Sequence, residues 1–265
     1  MKRHLDKIGK HIQGLSSEQR PAADLVDQAE QKLLSLSRLA SDSKPISIYD
    51  AGQESYERYA ALYEADDKSA LFGLTTGFTK LDQLLAGLSP SHLMIVAARP
   101  SVGKTAFALD IARNVASGQQ KNVGIFSLEM TRQEIMDRIV AGFLEVEAWK
   151  LKQGILTEDQ FKRMGPLFDR LKDMPIHIDD DPDTTLAHLR SKARRLAVEV
   201  GLDLLIVDYL QLIEVPDARA GENRTQQVTY ISRSLKNLAR ELQCPIIALS
   251  QLSRSCNNVA RRFRC

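Results

Sequence analysis

The sequence predicts an α/β fold: a mainly parallel sheet flanked by helices and preceded by a helical linker. Three observations carry that expectation. From about Leu71 onward, short apolar runs alternate with stretches whose apolar residues recur every three or four positions, the pattern of strands separated by helices. The runs Leu204-Leu205-Ile206-Val207 and Ile246-Ile247-Ala248-Leu249 are apolar throughout rather than alternating, as strands buried on both faces require. Finally, Ala98-Arg99-Pro100-Ser101-Val102-Gly103-Lys104-Thr105 stands between the apolar run Leu93–Ala97 and a helical pattern of Phe107, Leu109, Ile111, Ala112 and Val115. That is the strand–loop–helix setting of a phosphate-binding loop.

Composition narrows the classes. The chain has 265 residues, 43% hydrophobic and 26% charged, which suits a globular protein with room for one large domain and an appendage. No apolar run approaches the roughly 20 residues of a membrane span, and the charged start Met1-Lys2-Arg3-His4 leads into no signal-peptide core. The three cysteines, Cys244, Cys256 and Cys265, have no CxxC spacing. This points to a reducing, cytoplasmic setting. The five histidines are scattered and form no HExxH, so no histidine-based metal site is expected. The net charge of +2 hides an asymmetry: Arg219–Cys265 carries nine Lys/Arg against two acids, a balance of +7, leaving −5 for the rest. A basic end segment suits an anionic partner such as nucleic acid, or simply a solvated helix face.

Taken in order, residues 1–40 read as two helices split near Gly14–Pro21, the second with Leu25, Ala29, Leu33 and Leu36 on one face. Residues 41–70 form a polar linker, in which Ile48, Tyr56, Tyr59 and Leu62 suggest a short helix. After the phosphate loop and its helix, Val123–Ser127 reads as a strand. Thr131 with Glu134, and Thr157 with Gln160, are capping-box pairs opening two further helices. Pro175–Ile178 is a short strand, and a helix over 186–200 stops at Gly201. The strand Leu204–Asp208, a loop over 215–224, a helix over 225–242 and the strand Ile246–Ser250 complete the pattern. Met130, Met136 and Trp149 are read as core, and His177 as structural.

In a parallel sheet the carboxyl ends of the strands share one edge, and ligands bind beyond it. Four chemically apt residues or pairs lie at such ends: Lys104 with Thr105, then Glu129, Asp208 and Gln251. In the phosphate loop, Ala98 through Thr105, inward N–H groups and a helix N-terminus favour a polyphosphate. Lys104 would reach the β- and γ-phosphates, and Thr105 and Asp208 would hold Mg²⁺. Glu129 would deprotonate the attacking water, although an acid after a strand also suits a helix cap. Gln251 would sense the γ-phosphate. Ala98 replaces the Gly of the general loop pattern, which costs little where φ is negative.

Six segments together resemble the replicative DNA helicases of the DnaB type. They are Thr76-Gly77-Phe78-Thr79-Lys80-Leu81-Asp82, the Ala98–Thr105 loop, Ser127-Leu128-Glu129-Met130, Ile206-Val207-Asp208-Tyr209-Leu210-Gln211-Leu212, Ile231–Lys236 and Ala248-Leu249-Ser250-Gln251-Leu252-Ser253-Arg254. The resemblance implies a RecA-like ATPase domain over 71–255, using ATP and Mg²⁺ to drive 5′–3′ unwinding as a ring homohexamer on single-stranded DNA. Primase and a helicase loader are the implied partners. Residues 1–40 then resemble a remnant of the family's N-terminal domain and its linker helix. The 215–224 loop, with Arg219 and Arg224, resembles a DNA-contacting loop. Residues 256–265 no longer resemble the family, so the expectation is a form truncated at both ends. Such a form would bind ATP and lack the family's arginine finger; the alternative is an assembly module without motor activity.

Overall fold

The computed structural model describes residues 46–64, 73–182, 184–213 and 224–252. The two helices expected over 1–40, the 215–224 loop up to residue 223 with Arg219, and the 256–265 tail lie outside them. The chain divides into two compact units, residues 1–71 and 72–265. In the first, helix α1 (Ile48–Glu64) runs through the segment read as linker. Its start is set locally: the Asp50 N–H donates to Ser47 Oγ at 3.1 Å, and that hydroxyl donates to Asp50 Oδ2 at 2.7 Å.

The second unit opens with α2 (Thr79–Leu85) and strand β1 (Leu93–Ala98), then α3 (Lys104–Gln119), β2 (Val123–Ser127), α4 (Arg132–Leu144), α5 (Ala148–Gln153) and α6 (Glu158–Lys172). It continues with β3 (Ile176–Asp179), α7 (Leu186–Val200), β4 (Leu204–Asp208), a 3₁₀ turn (Leu210–Leu212), α8 (Arg224–Leu242) and β5 (Ile246–Gln251). The five strands form one sheet in the order β1-β5-β4-β2-β3, and every pairing is parallel. Both expected capping boxes are present: Thr131 with Glu134 opens α4, and Thr157 with Gln160 opens α6.

The continuous apolar strands divide their side chains by the two-residue period of a strand. Leu204, Ile206, Ile247 and Leu249 pack on one face, with Ile111 and Val115 of α3 and Ile135 and Ile139 of α4. Leu205, Val207, Ile246 and Ala248 pack on the other, with Leu189 of α7 and Ile231, Leu235 and Leu238 of α8. β2 and β4 are buried along their whole length. β1 is not: it pairs only with β5 among the described strands, and Ile95 is 48% exposed.

The Thr76–Asp82 segment is a clasp that ties the chain to α3. Asp82 Oδ1 accepts from the Thr76 N–H (2.7 Å) and Oγ1 (2.8 Å), and Oδ2 accepts from the Gly77 N–H at 3.2 Å. Asn114 and Gln119 of α3 donate to the Thr76 and Thr75 carbonyls. Gly77 has φ +82°, and a Cβ there would lie 2.2 Å from Asn114 Nδ2, so conformation and space both require glycine.

One core assignment is corrected. Met130 and Met136 are partly buried against apolar clusters, but Trp149 is 50% exposed. α5 is six residues long and buries none of them. The indole therefore lies on the surface, where its N–H finds Glu147 Oε2 at 3.0 Å.

Candidate nucleotide site at the carboxyl edge of the sheet

Ala98 ends β1 and is not among the residues with positive φ, so the backbone there suits a side chain. The loop then turns through two left-handed residues, Ser101 (φ 64°) and Gly103 (φ 101°). Gly103 is the N-cap of α3, and no side chain caps the helix. The first-turn N–H groups of a sixteen-residue helix are thereby left for another acceptor. A Cβ at Gly103 would meet nothing within 4 Å, so glycine is needed there for its dihedral rather than for room. The open space beside unpaired helix donors is the form of an anion cradle.

Three strand ends meet directly beside this cradle. Lys104 Nζ lies 2.8 Å from Asp208 Oδ1 and 3.0 Å from Glu129 Oε2. Thr105 Oγ1 donates to Asp208 Oδ2 at 2.7 Å. The side chains of Lys104 and Asp208 are 8% and 4% exposed, whereas that of Glu129 is 46% exposed. Two carboxylates thus share one ammonium, and the outer one faces solvent where a water molecule can approach. The helix-cap alternative for Glu129 does not hold, because Thr131 caps α4.

Topology explains why these residues meet. β2 is paired with β4, and their register sets Ser127 opposite Asp208. The Leu128 N–H donates to the Asp208 carbonyl at 2.7 Å, extending the ladder one step past the strand end. Buried Ser127 then closes the turn: its hydroxyl donates to the Met130 carbonyl (2.7 Å) and accepts from the Met130 N–H (3.1 Å). That turn projects Glu129. β5 lies between β1 and β4, with Gln251 in register with Ala98. Gln251 is partly buried at the same edge, and its backbone is bonded by the side chain of Gln211.

Sequence reasoning gives no role to three residues that the structure places here. Tyr209 lies under Lys104, with Nζ 4.2 Å from the ring centroid, so it holds the ammonium from a second side. Ser127 and Gln211 act through the backbone as described. All three lie inside the quoted segments, but their roles depend on which strands are neighbours. Arg224 begins α8, whereas Arg219 lies outside the described residues.

The donors fit a nucleotide carrying Mg²⁺. Among the described residues no three His, Cys, Asp or Glu side chains gather into a metal cage. A cation here would rest on the Thr105 hydroxyl and the Asp208 carboxylate and take its remaining oxygens from phosphate and water, the habit of Mg²⁺. A separate cavity of about 460 Å³ between α3, α4 and α5 is lined by Arg113, Glu134, Trp149 and Lys152 among others. It includes none of Lys104, Thr105, Glu129 or Asp208.

Comparison with known proteins agrees with this fold. Residues 73–262 match the family model of the DnaB-like helicase C terminal domain. The chain is 44% identical over 231 residues to the replicative DNA helicase DnaB of Geobacillus stearothermophilus, covering 87% of this chain and 50% of that protein. It is 42% identical over 231 residues to the replicative DNA helicase DnaC of Bacillus subtilis (strain 168), with the same coverage of each. Among solved structures, a DnaB-like replicative helicase described with its interactions with primase superposes at a TM-score of 0.69 and 30% identity, covering 96% of this chain and 58% of that one. A second solved structure, described as an ATPase domain, superposes at a TM-score of 0.69 and 33% identity, covering 80% of this chain and 73% of that one. The chain spans about half the length of these curated relatives. On the shared residues and the shared fold, this chain belongs to the family of the DnaB-like helicase C-terminal domain.

Proposed function

We propose that this chain is the motor part of a replicative DNA helicase, hydrolysing ATP with Mg²⁺ to drive 5′–3′ movement along single-stranded DNA within a homohexamer. The observation that carries the reading is the contact of Lys104 with both Asp208 and Glu129 beside an uncapped helix N-terminus. Family membership and the names of the relatives support the same reading.

Each side chain has a distinct task in this proposal. Lys104 leaves its carboxylate partners and neutralises the β- and γ-phosphates. Thr105 and Asp208 hold Mg²⁺, which supplies charge compensation on the phosphate oxygens. Glu129, released from Lys104 and open to solvent, takes the proton of the attacking water. Gln251, on the strand between the phosphate loop and Asp208, responds to the γ-phosphate. Arg219 and Arg224 supply contacts to DNA phosphates.

ATP turnover measured with and without single-stranded DNA tests the reading. We expect DNA to accelerate turnover. Glu129→Gln should slow hydrolysis by about 10²- to 10⁴-fold, with nucleotide affinity retained. Equal loss of affinity and turnover would make Glu129 a structural group. ATP binding without DNA-stimulated turnover would leave an ATP-binding module in place of a motor.

A further inference from the structure

The ladder between β4 and β5 ends before β5 does. Its register covers Leu205 with Ile246, Ile206 with Ile247 and Val207 with Ala248, while β5 runs on through Leu249, Ser250 and Gln251. On its other edge β5 stays paired to the end: Ala98 is opposite Gln251, and the Leu252 N–H donates to the Ala98 carbonyl at 3.0 Å. Backbone groups in a strand alternate between the two edges, and one residue's N–H and C=O point to the same side. The N–H and C=O of Gln251 therefore face the side that β4 has left.

The side chain of Gln211 fills that place. Its Oε1 accepts from the Gln251 N–H at 3.3 Å, and its Nε2 donates to the Gln251 carbonyl at 3.1 Å and to Ser250 Oγ at 2.8 Å. A primary amide offers an acceptor oxygen and two N–H donors. The oxygen and one N–H are used as a neighbouring peptide group would use them, and the second N–H goes to the Ser250 hydroxyl. Turning the amide over would set donor against donor and acceptor against acceptor. Gln211 is itself held: it lies in the 3₁₀ turn that follows Asp208, between fully buried Leu210 and buried Ile213.

We propose that Gln211 is a positioning residue for the nucleotide site. Its amide stands in for the missing strand and fixes the Gln251 backbone relative to Asp208, so that Gln251 can discriminate a nucleotide that carries a γ-phosphate from one that does not. The role rests on the reading above, in which this edge binds ATP and Gln251 answers to the γ-phosphate.

The test is a double-variant cycle on the whole chain. Gln211→Met keeps the length of the side chain and removes all three bonds. Wild type, Gln211→Met, Gln251→Ala and the double variant are titrated with fluorescent ATP and ADP analogues in Mg²⁺, and amide exchange at Gln251 is followed in the two Gln211 forms. We expect Gln211→Met to lower the ratio of ATP to ADP affinity by about fivefold, the worth of one net hydrogen bond, and the double variant to fall no further than Gln251→Ala. The Gln251 amide should exchange at least about tenfold faster while the β4–β5 ladder amides keep their protection. A role confined to stability would move neither the ratio nor the coupling. If Gln211→Met unfolds, Gln211→Asn keeps the amide but draws it back by one methylene, which weakens the bonds to Gln251, and should show the same loss in smaller measure. An unchanged ratio, additive effects or unchanged exchange at Gln251 overturns the positioning role alone. A wild-type chain that binds neither nucleotide overturns the nucleotide reading and this role with it.

Discussion

Replacing Lys104 by methionine keeps an unbranched side chain of similar length and removes the ammonium, its charge and its hydrogen bonds to Asp208 and Glu129 together. In the structure that charge lies 2.8 Å from Asp208, and both side chains are nearly inaccessible. At that separation, with an effective dielectric of about 20, the attraction is about 6 kcal/mol. Taking the two ions out of water costs several kcal/mol each, so the pair as a unit contributes little net stability. Glu129, half exposed, adds about 1 kcal/mol or less. Removing the lysine alone has a different consequence. Asp208, 3% exposed, is left without its cation and with one hydrogen bond, from Thr105. Stranding a buried carboxylate costs about 3–5 kcal/mol, and the lower end applies where a crevice admits water. Lys104→Met should therefore lower unfolding free energy by about 3 kcal/mol, or about 6–12 °C in Tm for a domain of this size. Adding Asp208→Asn removes the stranded charge and should restore most of that loss, without restoring ATP binding. Urea denaturation followed by circular dichroism, with parallel ATP·Mg²⁺ titrations, measures both quantities. A Lys104→Met protein as stable as wild type, or a double variant no more stable than the single one, would refute the electrostatic argument.

Other perturbations read other parts of the molecule. Asp82→Ala strands the N–H and hydroxyl of fully buried Thr76 and should cost about 2–3 kcal/mol, seen as a lower urea midpoint; an unchanged midpoint would deny the clasp. The Asp180 carboxyl is held below its usual 3.8 by the Arg132 backbone N–H and guanidinium. Its folded pKa is depressed, so its contribution is present above pH 3.8 and lost as pH falls through the folded value; Asp180→Asn should flatten the acid limb of the stability curve. Burial, with a smaller effect from Asp203, pushes the Cys244 thiol up to about 12. In a Cys256→Ser/Cys265→Ser background, Cys244 should resist maleimide at pH 8 until the protein is denatured, and rapid native labelling would contradict that burial. Neutralising Arg219 and Arg224 together should reduce the salt slope of single-stranded DNA binding by about 1.4; an unchanged slope would remove the loop from the interface.

Much of the fold and of the candidate site was legible in the sequence, for local reasons. Strand runs, capping boxes and the Gly201 helix stop are written in residues a few positions apart, and the structure carries Thr131 with Glu134 and Thr157 with Gln160 as read. The phosphate loop is likewise contiguous, and its left-handed turns at Ser101 and Gly103 lie within it. Trp149 departs from expectation because a bulky apolar residue says nothing of whether its helix is long enough to bury a face.

By itself, the sequence singled out the candidate residues: Lys104 and Thr105 in the loop, and Glu129, Asp208 and Gln251 after apolar runs. Only the tertiary structure decided how they meet. Strand order is set by packing between elements far apart in the chain, and no local period records it. Placing β5 between β1 and β4, and β2 against β4, brings Glu129 and Asp208 onto one ammonium. Because the β4 ladder stops short, the end of β5 has no strand partner on its β4 side among the described residues, and Gln211, an ordinary residue in the sequence, is the group that completes that edge.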